Sequence, residues 1–292
     1  CFSNWISSLV KVTAGEVVAI DGKTLRHSFD TASNKAAIHM VSAFATSTKL
    51  VLGQEKVSEK SNEITAIPKL LDLLFIEGAI VSIDAMGTQR EIAEKIRDKK
   101  ADYVLALKGN QSSLHDNIKL FLSAEIEKKE LEKSNKIVDF YEDTDKGHGR
   151  IETRTCFVTD KIDWLEQRSE WRDLKTIVAI KSIVIEGEKT LAETRYFISS
   201  MEPNAQEIAH AIRSHWAIEN SLHWVLDVTM GEDNSRVRKD TAPENMAMVR
   251  HIVLNLLRGV KNKYSKDMSL KGLQKKEGWG EATLDEILMQ AF

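Results

Sequence analysis

Two segments of the chain close in the same way. Glu16-Val17-Val18-Ala19-Ile20-Asp21-Gly22 and Ala79-Ile80-Val81-Ser82-Ile83-Asp84-Ala85 are short, apolar, β-branched runs that each end in an aspartate. Such a run reads as a strand buried on both faces. The carboxylate then falls at the strand end, where open α/β sheets place their ligand-binding groups. Two aspartates brought together at one sheet edge repel unless a divalent cation stands between them. A third acid is Glu219. Asn204-Ala205-Gln206-Glu207, just after Pro203, has the form of a capping box. The helix it opens carries Ile208, Ala211, Ile212, His215, Trp216, Glu219, Leu222, His223 and Leu226 at helical spacing. At about 100° per residue, Glu219 falls within about 20° of Ile208 and Leu226, inside the apolar stripe. A carboxylate there needs a partner. Either it is a buried ion pair with Arg250 or Lys108, or it shares a cation with Asp21 and Asp84.

Three carboxylates supply oxygen ligands only, which suit Mg²⁺ or Mn²⁺ rather than zinc. Water and phosphate oxygens complete such a site, which is the arrangement of metal-dependent phosphoryl transfer. The eight histidines form no His-Glu-x-x-His, and there is no Cys-x-x-Cys, Walker-type or dinucleotide glycine pattern, nor a serine or cysteine nucleophile motif. The attacking group is therefore expected to be water or a 3′-hydroxyl.

The elements that must position these acids can be read along the chain. After the Asp21 strand, residues 36–45 and 49–57 read as two further strands joined by Thr46-Ser47-Thr48. Residues 62–77 and 88–98 read as helices on either side of the Asp84 strand, and 103–107 as a strand. This β-β-β-α-β-α-β order fits a mixed five-stranded sheet flanked by helices. A charged helix over 114–133 follows, then strands over 151–158, 174–185 and 194–199, with the polar run 143–150 expected as a loop. The amphipathic helix 243–259 is expected to bury Met246, Val249, Ile252, Val253, Leu256 and Leu257. The organisation expected is a core first part over 1–108, a β-containing insertion over 109–192 before the glutamate-bearing helix, a core second part over 193–259, and a loosely held tail over 260–292.

Length and composition set bounds. With 292 residues, 42% hydrophobic and 29% charged, the chain has the make-up of a globular protein with a full core. No apolar run approaches a membrane span, so no membrane partner is expected. Two cysteines, Cys1 and Cys156, are too few for a disulfide framework, which points to a reducing cytoplasm, with Cys156 as a packing residue. The opening Cys1-Phe2-Ser3-Asn4-Trp5 lacks methionine, as if an amino-terminal segment preceded it. The net charge of −3 gives no global sign of nucleic-acid binding. Basic residues nonetheless cluster near the acids: Lys23 with Arg26, Arg150 with Arg154, and Arg236, Arg238, Lys239 and Arg250.

Ala19-Ile20-Asp21-Gly22-Lys23, Ser82-Ile83-Asp84-Ala85-Met86 and His215-Trp216-Ala217-Ile218-Glu219-Asn220 resemble the three acidic motifs of the DDE transposases of bacterial insertion sequences, in the H-repeat-associated branch. Ala106-Leu107-Lys108-Gly109-Asn110-Gln111, Gly147-His148-Gly149-Arg150, Leu222 to Val228 and Ala242 to Ala247 extend the resemblance over nearly the whole chain. It implies an RNase H-like core with Asp21, Asp84 and Glu219 as the catalytic, metal-binding triad. It further implies Mg²⁺ or Mn²⁺ as cofactor, and double-stranded DNA (element terminal repeats and target) bound by a homodimer. Lys23, Lys108, Arg150, His215, Arg236 and Arg238 lie in or beside the motifs and are the expected contacts to DNA phosphates. Where related enzymes carry a tyrosine and an arginine upstream of the glutamate, this chain has Ile212 and His215. Leu226 stands near the place of a downstream lysine. The function expected is DNA strand cleavage and transfer at element ends. The alternatives are an RNase H-like nuclease or resolvase, and a catalytically silent remnant that binds DNA.

Overall fold

The computed structural model describes Ile6 and residues 12–31, 35–58, 62–131, 138–147, 149–264 and 269–277. The opening residues Cys1 to Trp5, His148 and the tail after Glu277 lie outside them. Along the chain run β1 (Val17–Thr24), β2 (His39–Ala45), β3 (Leu50–Lys56), α1 (Glu63–Leu73), β4 (Ile80–Ile83), α2 (Arg90–Asp98), β5 (Asp102–Leu107) and α3 (Ser112–Leu131). These are followed by β6 (Asp139–Gly147), β7 (Arg150–Thr159), β8 (Thr176–Glu186), β9 (Lys189–Ser199), α4 (Ala205–Ala217), α5 (Trp224–Val228), α6 (Ala242–Tyr264) and α7 (Leu270–Glu277). The chain divides into two compact units, Cys1–Phe75 with Trp216–Phe292, and Ile76–His215. Among the described residues no helix is long and apolar enough to cross a membrane.

In the first unit β1, β2 and β3 form an antiparallel meander in which Ile20 pairs with Ala43, Asp21 with Ser42 and Phe44 with Val51. The run Val17 to Ile20 is wholly buried, and burial relaxes at Asp21, as a strand emerging from a core should. Asn62 starts α1 by accepting a hydrogen bond from the Ile64 N–H, and the helix turns Ala66, Ile67, Leu70 and Leu71 inward. Ala19, Phe44 and Val51 pack with Ile218, Leu222, Val225, Leu226 and Leu254 in one buried cluster.

The buried face of α6 is not the one the apolar pattern suggests. Met246 and Val249 are exposed, at 36% and 48%, whereas His251, Asn255 and Arg258 are buried beside Ala247, Leu254 and Leu257. Two of these polar side chains, Asn255 and Arg258, are inside because the backbone there offers them partners. Asn255 accepts from the Val51 N–H and donates to the Val51 carbonyl, both at 2.9 Å, so that it serves β3 as a further strand would. The tail expected to be loose is likewise held in part: α7 places Leu273 against Leu257 and Val260.

In the second unit β4 and β5 are parallel and joined by α2, which buries Ile92, Ala93 and Ile96. Strand β5 also pairs antiparallel with β9, and the sheet continues through β8 and β7 to β6. Leu114, Ile118, Leu122 and Ile126, four residues apart, are the buried stripe of α3. Of the run 143–150, expected as a loop, residues 143–147 are instead the end of β6 and Arg150 is the start of β7, with Gly147 pairing with Arg150. Its residues are polar because this part of the sheet is exposed on both faces, and acidic side chains suit a strand with one open edge. Strand β9 begins at Lys189, before the expected residue 194, for the same reason: Lys189 to Arg195 are exposed.

Replacing Asn255 with Leu leaves two buried main-chain groups of Val51 without partners. The expected cost is about 2–4 kcal/mol in urea-induced unfolding; a change below about 0.5 kcal/mol would show that Asn255 does not fasten β3.

Candidate active site

Asp21 sits where β1 leaves the core, its side chain 28% exposed, with Oδ2 3.7 Å from Nδ1 of His223. The next residue must be small. A Cβ on Gly22 would collide with Glu63 and His39, which are paired at 2.5 Å directly over it.

Asp84 follows the buried run Val81 to Ile83 of β4, in the second unit. Its Oδ1 accepts from the Met86 and Gly87 N–H groups at 3.1 and 3.3 Å, an Asx turn that fixes the carboxylate just past the strand. Thr88 Oγ1 donates to the Ala106 carbonyl at 2.6 Å. Asn110 Nδ2 donates to the Ala85 carbonyl at 2.5 Å, and Gln111 Nε2 to the Thr88 carbonyl at 3.1 Å. Asn110 and Gln111 thus brace the Asp84 loop. Only their place in a quoted motif signals them in the sequence. His215 Nδ1 lies 3.0 Å from Ser82 Oγ. Burial pushes its imidazole below the usual range, against the pull of the Asp84 carboxylate and of Ser82. The Nδ1 side of the His215 ring is thus taken up by Ser82 on β4.

Glu219 corrects the helical arithmetic: it is exposed, while Ile218, Leu222 and His223 are buried. The α-helix α4 stops at Ala217, and Ile218–His223 is a π turn in which the Trp224 N–H reaches back five residues to the Glu219 carbonyl. Such a turn holds one residue more than an α turn, so a single 3.6-residue wheel does not continue through it. On a straight wheel Ile218 and Val225 lie about 80° and 100° to one side of Ile208. Of the residues in and after the turn, Ile218, Leu222, Val225 and Leu226 take the buried positions and Glu219 does not. The expected pairing of Glu219 with Arg250 does not occur; Arg250 Nη1 lies 3.8 Å from Glu232 instead.

The donors are three carboxylates, Asp21 inside β1 where burial relaxes rather than at the strand end expected, Asp84 just past β4, and Glu219 exposed on a π turn, and hard oxygen donors of this kind fit Mg²⁺ or Mn²⁺. Among the described residues no three His, Cys, Asp or Glu side chains are gathered closely enough to hold an ion. Of the expected phosphate contacts, Lys108 and Arg236 are exposed, as is Arg150, whose Nη2 donates to Glu152 at 3.1 Å. Arg238 donates through Nε to the His27 carbonyl at 3.1 Å and lies 4.7 Å over the Phe29 ring.

Lys23 is committed elsewhere. Its side chain is 12% exposed and its Nζ lies 2.5 Å from Asp227, 2.8 Å from Glu232 and 3.6 Å from Asp233. Burial alone would lower its pKa, but the Glu232 and Asp227 carboxylates outweigh burial and raise it. Lys23 therefore ties the strand bearing Asp21 to the segment that follows the Glu219 turn, and the sequence marks it only as a lysine beside an aspartate. Replacing Lys23 with Met leaves the Glu232 carboxylate, whose side chain is 2% exposed, with only the longer Arg250 contact at 3.8 Å. The expected loss in denaturant unfolding is about 3–5 kcal/mol; an unchanged midpoint would remove this tie from the fold.

The Transposase DDE domain family matches residues 13–256. The chain is 44% identical over 291 residues to "Putative transposase YncI" of Escherichia coli O157:H7, covering 98% of this chain and 72% of that protein. It is 46% identical over 262 residues to "H repeat-associated putative transposase YhhI" of Escherichia coli strain K12, covering 88% of this chain and 68% of that one. Among solved structures, the piggyBac transposase in a synaptic complex with hairpin DNA matches with a TM-score of 0.50 at 13% identity, over 96% of this chain and 52% of that one. That likeness is one of fold, and it agrees with the mixed α/β, RNase H-like architecture expected from the strand order. With a family match over most of its length and similar relatives spanned over more than two thirds of theirs, the chain belongs to the H-repeat-associated DDE transposases.

Proposed function

We propose that the chain is the catalytic part of an insertion-sequence transposase that cuts and joins DNA strands at element ends, with Asp21, Asp84 and Glu219 holding Mg²⁺ or Mn²⁺. The observation that carries this reading is the placement of the acids: within residues 13–256, matched by the family, each aspartate ends a buried strand run and Glu219 is turned out of the helical stripe. An ion held by such ligands would supply Lewis-acid activation of an attacking hydroxyl and charge stabilisation at the leaving oxygen. The chain's own contribution is orientation. The Asx turn fixes Asp84, and Lys23 fixes the strand of Asp21. Lys108, Arg150 and Arg236 are the cations open to phosphate, with Arg238 beside His27 and Phe29 as a fourth. The setting is a cytoplasmic homodimer on double-stranded DNA.

A plasmid carrying the cognate ends tests this. Cleavage is expected with Mg²⁺ and not with EDTA. Asp21→Asn or Glu219→Gln should lower it at least about a hundredfold while DNA affinity stays within roughly threefold. Cleavage unaffected by either substitution would refute the triad, and binding without cleavage under every metal condition would mark a silent, DNA-binding remnant.

Phosphate contacts also leave a signature in salt. Removing one cation that neutralises a phosphate should flatten the slope of log affinity against log salt by about one. A Lys108, Arg150 and Arg236 triple alanine variant that keeps the wild-type slope would exclude these side chains from the DNA surface.

A further inference from the structure

Glu219 is displayed by backbone that departs from the α-helix, and a π turn persists only where something favours it over the regular register. The candidate for that role is Arg258 on α6. It is 5% exposed, and its two Nη groups address carbonyls in separate segments. Nη2 donates to the Ser221 carbonyl, inside the π turn, and Nη1 to the Lys49 carbonyl. Lys49 closes the β2–β3 connection in the left-handed region, at φ 59°. The guanidinium carbon lies 5.3 Å over the Phe44 ring. Burial pushes its pKa down to about 10, which leaves it charged at neutral pH. A planar fork carries donors on two nitrogens set apart in fixed directions, whereas an ammonium must serve every acceptor from one nitrogen.

We propose that Arg258 is a positioning residue that locks the Ile218–His223 turn in its π register and so keeps Glu219 facing outward, where it can serve as a ligand. The inference rests on the reading of Glu219 as a metal ligand. Without the Arg258 donor, the turn can relax toward an unbroken α register. That register carries Glu219 into the apolar stripe centred on Ile208 and Leu226, where a carboxylate is costly and closed to an ion. The cluster of Ile218, Leu222, Val225 and Leu226 against Phe44 and Val51 holds the segment to the core and favours the observed register, but it does not itself engage the main chain of the turn. A charge-assisted bond to one named carbonyl does.

The test uses Arg258→Lys and Arg258→Met in the full chain, with two readouts. Amide hydrogen exchange over 218–224 should quicken about tenfold to a hundredfold in Arg258→Lys. Mn²⁺ affinity and cleavage turnover should fall at least about tenfold, while DNA affinity stays within about threefold, a split that general loosening of the fold would not give. Arg258→Met should show the larger effect in both. If neither variant folds, wild-type exchange decides: the 218–224 amides should be protected as well as those of Leu254 to Arg258, and markedly faster exchange there would overturn the proposal. So would unchanged exchange or Mn²⁺ affinity in a folded Arg258→Lys. Should the wild type itself take up no Mn²⁺, it is the ligand reading of Glu219 that falls, and the exchange comparison still decides whether Arg258 holds the turn.

Discussion

Burying a charged or amide side chain is costly unless its donors and acceptors are met, and three side chains that meet partners in this way fasten the first unit. Lys23 meets Asp227, Glu232 and Asp233. Asn255 meets both main-chain groups of Val51, and Arg258 meets the carbonyls of Lys49 and Ser221. Each such bond adds only about 1 kcal/mol net, but leaving one partner unmet costs about 1–3 kcal/mol, and more where a charge is stranded. The asymmetry makes these contacts selective. The apolar cluster supplies most of the driving force for collapse, while the polar ties help decide which backbone arrangement the collapsed chain adopts.

Those ties converge on the two stretches of the first unit that bear acids. Lys23 stands two residues after Asp21 and grips the segment from Asp227 to Asp233, beyond the Glu219 turn. Arg258 grips the turn itself. In the second unit, Asp84 is set by a different device: its own loop amides hold the carboxylate, and Asn110 and Gln111 hold the loop. A carboxylate oriented before a hard cation arrives spares the ion part of the cost of ordering its ligands.

Much of this frame is legible in the sequence, for identifiable reasons. β1 and β4 are continuous apolar runs that nothing but a buried strand explains, and the Asn204 cap appears as expected, with the Glu207 N–H donating to its side chain. The stripe of Leu114, Ile118, Leu122 and Ile126 announces α3. What is not legible is whatever depends on a particular partner rather than a period. No pattern of 3.6 encodes the extra residue in the π turn, so a straight wheel puts Glu219 in the stripe. Helix α6 hides His251, Asn255 and Arg258, which hydropathy assigns to the surface. The polar stretch Asp143 to Arg150 reads as loop because alternation of side chains means nothing when both faces of a strand are exposed. Lys23 reads as a phosphate contact because proximity in sequence does not show that its ammonium is taken up by Asp227 and Glu232.

The central proposition is that Asp21, Asp84 and Glu219 take hold of the same divalent ions. Anomalous scattering from Mn²⁺ in crystals of the protein tests it most directly. Manganese should lie with oxygens of all three carboxylates within about 2.0–2.6 Å, Asp84 keeping its loop bonds and Glu219 still on its π turn. Manganese bound away from these residues, or held by the aspartates with Glu219 turned into the apolar stripe, would contradict it.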